Sequence, residues 1–249
     1  MAGHSHSANI ARRKNAVDAK RAKIFSKCAK AILSAVKQGG PDPDQNLKLK
    51  YAIEKAKAAN MPKDNIQRAI KSASGDKSGD MEDLTYEGYA SAGVAVIVVA
   101  LTENRNRTSA DLKHIFDKRG GNLGAQGSVA FMFDFRSIFV VQDEGRTEED
   151  QWMELALESG AEDIEAEGSL ATLYAAPGDF VAVKDALEAA GVEFIQAEIG
   201  YVPQNRIQVE TQDEAKRVLR LIEDLEDNED VQNVYANFDI DDAWLEELS

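Results

Sequence analysis

Between Gly93 and Thr102 every residue is apolar and most are β-branched: Val94-Ala95-Val96-Ile97-Val98-Val99-Ala100-Leu101. The run is far too short to cross a bilayer as a helix, which takes about 20 residues. It has the length and composition of a strand buried in a core. Such a strand needs other elements to cover it, and the chain offers them on both sides. With 249 residues it can bury a substantial core, in roughly one to three domains.

Before residue 75 the pattern is helical. The spacing predicts a first helix over residues 18–38, stopped at Gly39-Gly40-Pro41. Ile24, Cys28, Ala31, Ile32, Ala35 and Val36 recur at helical spacing and form an apolar face. Lys20, Lys23, Lys27, Lys30 and Lys37 share that period on another side of the helix. One face can therefore pack while another presents a row of ammonium groups. A second helix is expected from near Asp44 to Ala59. Pro62 suits the first turn of a third, ending near Gly75. Residues 72–83 are polar and free of aromatics, and read as a linker.

The rest of the chain alternates. Residues 93–101 read as a strand, 107–119 as a helix with Leu112, Ile115 and Phe116 inward, and 129–133 as a strand. Residues 137–141, 148–160, 163–167, 170–175, 178–190 and 193–202 then read strand, helix, strand, strand, helix, strand. That is the split βαβ order of a ferredoxin-like domain. Afterwards 206–210, 211–227 and 231–238 read strand, helix, strand. The outer pieces combine into a second unit of the same kind. The expected fold class is α+β and multidomain: an N-terminal three-helix domain (1–74) plus two ferredoxin-like α+β domains, one inserted in the other. The discontinuous domain takes 80–134 and 204–240, and the inserted one 135–203. The insertion falls in a loop between strands, where added segments are best tolerated.

Charge is divided along the same line. Residues 1–74 carry 16 Lys and Arg against 5 Asp and Glu, and residues 75–249 carry 13 against 39. The net charge of −15 thus hides a basic head on an acidic body. Such a head suits a polyanion. Other classes lose ground. Cys28 is the only cysteine, which excludes an intramolecular disulfide and a cysteine-based metal cluster and fits a reducing compartment. No nucleophile elbow, phosphate-loop lysine motif or His-Glu-x-x-His occurs, so no enzyme is expected. The N-terminus is polar and basic, without the apolar segment of a secretory signal, and a cytoplasmic protein without membrane contact is expected.

Three segments could carry chemistry. The opening has few large apolar side chains and leads through Arg12, Arg13 and Lys14 into the lysine row, starting with Lys20, Arg21 and Lys23. A flexible basic arm followed by a basic helix face suits phosphate neutralisation; the alternative is a frayed terminus. Once Met1 is removed, Ala2-Gly3-His4 also offers the nitrogen set that square-planar Cu(II) favours, but no metal is assigned to the working protein. The second segment, Glu103-Asn104-Arg105-Asn106-Arg107-Thr108, joins the buried strand to a helix with Thr108 as candidate N-cap. Free N–H groups and the forks of Arg105 and Arg107 favour an anion; a capped loop with solvated arginines is equally open. The third is the loop Gly120-Gly121-Asn122-Leu123-Gly124-Ala125-Gln126-Gly127-Ser128. It lies between a helix and a strand rather than in the dinucleotide-binding order, and reads as a helix cap and turn, or as a nest of N–H groups for a phosphate. Lys63, Asn65, Gln67, Arg68 and Lys71 would line the second helix of a helix-turn-helix, although the turn lacks the usual Gly.

Several blocks together resemble the YebC/PmpR family: Met1-Ala2-Gly3-His4-Ser5, Asp18-Ala19-Lys20-Arg21, Lys55-Ala56-Lys57-Ala58-Ala59-Asn60-Met61-Pro62-Lys63-Asp64-Asn65-Ile66, Tyr86-Glu87-Gly88-Tyr89, Glu103–Thr108 and Gly120-Gly121-Asn122-Leu123-Gly124. The similarity spans nearly the whole chain and is densest to residue 133. That family includes the mitochondrial translational activator of cytochrome c oxidase. The resemblance implies three domains and a non-enzymatic role in gene expression, as a regulator binding promoter DNA or as a ribosome-associated factor easing elongation. Two departures stand out. His6-Ser7 replaces the family's Lys-Trp, removing a cation and a stacking ring, and Ala90-Ser91-Ala92 replaces Gly-Pro-Gly.

The sequence thus points to a cytoplasmic, cofactor-free DNA-binding transcriptional regulator. Its candidate contacts are Arg12, Arg13, Lys14, Lys20, Arg21, Lys23, Lys27, Lys30, Arg105 and Arg107. A ribosome-associated factor binding structured RNA through the same residues is the first alternative, because phosphates are common to both nucleic acids. A protein-interaction module using the acidic body is the second, its partner unspecified.

Overall fold

A computed structural model describes residues 21–75, 81–241 and 244. Along the chain come α1 (Arg21–Gly39), α2 (Leu47–Ala58), α3 (Lys63–Gly75), β1 (Glu82–Tyr89), β2 (Ala95–Thr102), α4 (Arg105–Lys118) and β3 (Asn122–Leu123). β4 (Phe133–Gln142), α5 (Glu149–Ser159), β5 (Asp163–Glu167), β6 (Leu170–Ala175), α6 (Phe180–Ala189) and β7 (Glu193–Pro203) follow. The chain ends with β8 (Ile207–Gln208), α7 (Gln212–Asp227), β9 (Val231–Ala236) and β10 (Phe238–Asp239). These elements form two compact units, Phe135–Tyr201 and, around it in sequence, Ala22–Asp134 with the chain from Val202 onward. The fold class is α+β with a helical N-terminal region.

In the head, the apolar face read from the sequence is the packed face. Cys28, Ile32, Ala35 and Val36 of α1 meet Leu49, Ala52 and Ala56 of α2, with Met61, Ile66 and Ala73 completing the cluster. Asn46 fixes the corner between α1 and α2. Its carboxamide oxygen accepts from the Leu49 N–H (3.1 Å), while its nitrogen donates to the carbonyls of Ala35 and Gly40 (2.8 Å each). Cys28 is buried, and burial pushes its thiol pKa up.

β1 and β2 form an antiparallel hairpin in continuous register, from Glu82 opposite Thr102 to Tyr89 opposite Ala95, in a sheet ordered β3-β1-β2-β9. Val94, Val96 and Val98 pack with Leu112 and Phe116 of α4 and Val218, Leu221, Ile222 and Leu225 of α7. The apolar run is thus the centre of the sheet, covered by two helices.

The unit Phe135–Tyr201 has the expected split βαβ order, its sheet reading β5-β6-β4-β7. Phe139 stacks on Phe180 at 5.2 Å and meets Phe194 edge-on at 6.4 Å. The Trp152 indole, 1 % exposed, donates to the Gly168 carbonyl at 2.9 Å.

The discontinuous unit differs from the sequence reading in three places. Residues 82–89 form a full strand, although their acids and Gly88 are poor strand formers; pairing with β2 decides their state. Residues 130–132 form a 3-10 turn, and the strand begins only at Phe133. Of residues 206–210 only Ile207 and Gln208 are strand, paired in parallel with β10.

The turn between β1 and β2 holds Ala92 at φ 59°, in the left-handed region, with the Ala90 N–H bonded to the Val94 carbonyl at 2.8 Å. A side chain there costs about 1–2 kcal/mol, more than the added unfolded-state freedom of a glycine. Ala92→Gly should therefore raise stability by about 0.5–1 kcal/mol. Urea denaturation checks this; a midpoint at or below that of the parent means the turn carries no strain.

Candidate nucleic-acid interface

The lysine row of α1 meets the C-terminal end of α7. A helix end leaves its last carbonyls without internal partners and carries partial negative charge. Here Glu223, Asp224, Glu226 and Asp227 crowd that end, and the last turn of α7 holds no basic residue. The missing cations come from the head. Lys23 pairs with Asp227 at 3.1 Å, Lys27 donates to the Glu226 carbonyl at 2.6 Å, and Lys30 reaches Asp230 at 2.8 Å. Spacings of four and three residues set these ammonium groups on one face. Lys55 of α2 adds a bond to Asn233 at 2.5 Å, and Lys48 pairs with Asp83. Burial, with the nearby Lys23 charge, lowers the pKa of Lys27 to about 8.

Asp230 is the centre of this seam. Its side chain is 5 % exposed. One oxygen accepts from Lys30; the other lies 2.9 Å from Arg107 Nη2 and 2.8 Å from Thr108 Oγ1, with Thr102 Oγ1 at 3.3 Å. Burial alone would raise the pKa of this carboxyl. The hydrogen bonds from Lys30, Arg107 and Thr108 outweigh burial and hold it at about 2.

The segment 103–108 is therefore built differently from the sequence reading. Asn104, not Thr108, is the N-cap of α4, its side chain accepting from the Arg107 N–H at 3.1 Å. Both arginines lie in the first helical turn, and Thr108 is buried against Asp230. Arg105 is exposed. Arg107 gives one nitrogen to Asp230 and keeps 57 % of its side chain exposed.

The glycine-rich loop does contain a nest of N–H groups, and the protein fills it with its own anion. The Glu87 carboxylate accepts from the N–H groups of Gly127 (2.6 Å), Val129 (2.7 Å) and Ala130 (2.8 Å). Burial acts to raise its pKa, and the three bonds bring it below the ordinary value. Gly121 admits no side chain, since a Cβ there would lie 2.5 Å from the Tyr89 carbonyl oxygen. In the head, Asn60 at φ 58° takes the turn position where a helix-turn-helix expects Gly, and Lys63, Gln67, Arg68 and Lys71 line the exposed side of α3.

The ten candidate contacts thus fall into groups. Arg12, Arg13, Lys14 and Lys20 lie outside the described residues, as does the Ala2-Gly3-His4 start. Arg21 begins α1 and is exposed. Lys23, Lys27 and Lys30, expected on an open face, face the acidic end of α7. Arg107 joins them through Asp230, and Arg105 stands apart on the surface. Sequence reading missed Asp227 and Asp230. The signal was present: a helix closing on Glu223-Asp224-Leu225-Glu226-Asp227-Asn228-Glu229-Asp230 opposes its own dipole and needs cations from elsewhere. Among the described residues no group of three His, Cys, Asp or Glu could hold a metal, and no helix is long and apolar enough to cross a membrane.

The chain thus combines a helical head, tied to an α+β unit by a lysine–carboxylate seam, with a second α+β unit inserted in sequence. Residues 5–76 match the TACO1/YebC protein N-terminal domain and residues 81–238 the TACO1/YebC second and third domain; the chain belongs to this family. A probable transcriptional regulatory protein of Syntrophus aciditrophicus is 49 % identical, with 100 % of each chain covered. One from Natranaerobius thermophilus is 47 % identical over 99 % of each. The crystal structure of a conserved hypothetical protein from Aquifex aeolicus matches with a TM-score of 0.80 at 42 % identity, covering 90 % of this chain and 93 % of that one.

The Asp230 carboxyl makes the seam pH-dependent. Its folded pKa, about 2, lies below the ordinary 3.8, so its contribution is present above pH ~4 and is lost as pH falls toward 2. The amount is roughly 2 kcal/mol. Asp230→Asn should destabilise the protein by about 1–3 kcal/mol at pH 7 and flatten the stability profile between pH 4 and 2. Denaturant titrations at several pH values check this. Parallel profiles for parent and variant would mean that Asp230 does not carry the acid sensitivity.

Proposed function

We propose that this chain is a cytoplasmic, cofactor-free regulator of gene expression that binds the phosphate backbone of duplex DNA through its N-terminal segment and head. The observation that carries this reading is the charge division: 16 cations against 5 acids before residue 75, on a body of opposite sign. Two relatives named probable transcriptional regulatory protein, matched over essentially full length, support it. In this reading Arg12, Arg13, Lys14, Lys20 and Arg21 make the primary phosphate contacts, with Arg105 and the exposed part of Arg107 beside them. Lys23, Lys27 and Lys30 contribute when phosphates replace the carboxylates and carbonyls they now hold.

Two measurements test it. Changing Arg12, Arg13, Lys14 and Lys20 to Ala should weaken duplex binding and flatten the slope of log affinity against log salt by about 0.9 for each phosphate no longer neutralised. An unchanged slope rejects the arm as the binding element. A parent that binds structured RNA but no DNA points instead to the ribosome-associated alternative. Asp227→Asn frees Lys23 from an exposed pair and should tighten low-salt duplex binding by ~2- to 5-fold. Weaker binding in that variant would mean the seam supports the interface rather than competing with it.

A further inference from the structure

Of the 13 Lys and Arg in residues 75–249, five line one open groove between the C-terminal end of α4 and the first half of α7: Lys118, Arg119, Lys216, Arg217 and Arg220. On an acidic body such clustering needs a reason, and folding supplies one only for Arg119 and Lys118 of α4, which hold Asp224 of α7. The core side of α7 is Ala215, Val218, Leu221, Ile222 and Leu225, so its cations are outside the packing. Lys216 and Arg220 stand four residues apart, and Arg217 and Arg220 three, so like charges are neighbours on the helix surface, an arrangement that costs a few tenths of a kcal/mol. Internal neutralisation is partial. Asp224 takes two bonds from Arg119, at 2.8 and 3.1 Å, and lies 3.6 Å from Lys118. Arg217 donates to the Asp213 carbonyl at 3.3 Å, and Lys216 and Arg220 have no carboxylate partner among the described residues. Among those residues Asp213 is the only acid lining the groove.

The shape narrows the ligand. The groove is open, so it does not enclose a free nucleotide. Among the described residues no aromatic side chain lines it to stack a base, and no apolar side chain lines it to anchor a protein partner. Arginine forks and ammonium groups in an open channel fit a charged chain passing through, read by its phosphates alone. We infer that this groove is a second nucleic-acid contact, which holds the sugar–phosphate backbone of duplex DNA independently of base sequence. It is built from residues of the body, not of the head, and rests on the proposed function for the nature of the polyanion.

The test uses the full chain and a short fluorescent DNA duplex, with affinity measured by anisotropy across a range of salt. Changing Lys216, Arg217 and Arg220 together to Ala should lower the log–log salt slope by about 2 to 3, at about 0.9 per phosphate. The charge-retaining set Lys216→Arg, Arg217→Lys and Arg220→Lys should keep most of the slope. A thermal melt of each variant matching that of the parent excludes misfolding. An alanine variant with parental slope and affinity overturns the inference, while a flattened slope in the Arg12, Arg13, Lys14 and Lys20 variant leaves the head reading standing. The converse result, a flattened slope in the groove variant and none in the arm variant, upholds the groove and removes the arm. A polyglutamate peptide that binds the parent as tightly as DNA does, and fails to bind the groove variant, would assign the groove to an acidic protein and overturn the inference.

Discussion

A carboxylate buried as deeply as Asp230 is tolerable only while its hydrogen bonds are complete. Its partners come from three separated parts of the chain: Lys30 of α1, Thr102 at the end of β2, and Arg107 with Thr108 in α4. The β2 strand is also tied to the same residue through the backbone, since the Leu101 N–H donates to the Asp230 carbonyl at 2.7 Å. The central strand, the helix that covers it and the helical head thus converge on one side chain. Lys30 serves one carboxylate oxygen and Arg107, Thr108 and Thr102 serve the other, so loss of the head's cation would leave the first without its partner.

Two segments that looked suited to an external anion each hold an internal one as well. The nest of N–H groups after Gly124 holds Glu87, and one nitrogen of Arg107 bonds Asp230. Sequence chemistry identified groups that bind anions but not whose anion they bind. In a chain with 44 acids and 29 cations, the nearest carboxylate is commonly its own. What distinguishes the groove of α4 and α7 is that its acids are outnumbered where the cations meet.

Elements with a single strong period were legible. The apolar stripe of α1, the buried run of β2 and the whole split βαβ order of residues 135–201 follow from side-chain spacing alone. β1 was not, because Glu82-Asp83-Leu84-Thr85-Tyr86-Glu87-Gly88-Tyr89 owes its strand state to a neighbour, and its buried glutamate breaks the alternation. The short parallel pair of β8 and β10 was equally hidden, since two residues carry no period. At the candidate interface, the cations and their helical spacing could be read. Their acceptors could not, because Lys23 and Asp227 are 204 residues apart and nothing local links them.

The single cysteine gives the head a built-in reporter. Cys28 lies in the head core, on the same helix whose other side carries Lys27 and Lys30. Burial keeps its thiol protonated and out of reach, and only the thiolate reacts with an alkylating reagent. Modification must then wait for local opening of the three-helix cluster. The rate of alkylation of the unaltered protein becomes a clock for that opening, with no second thiol to confuse it.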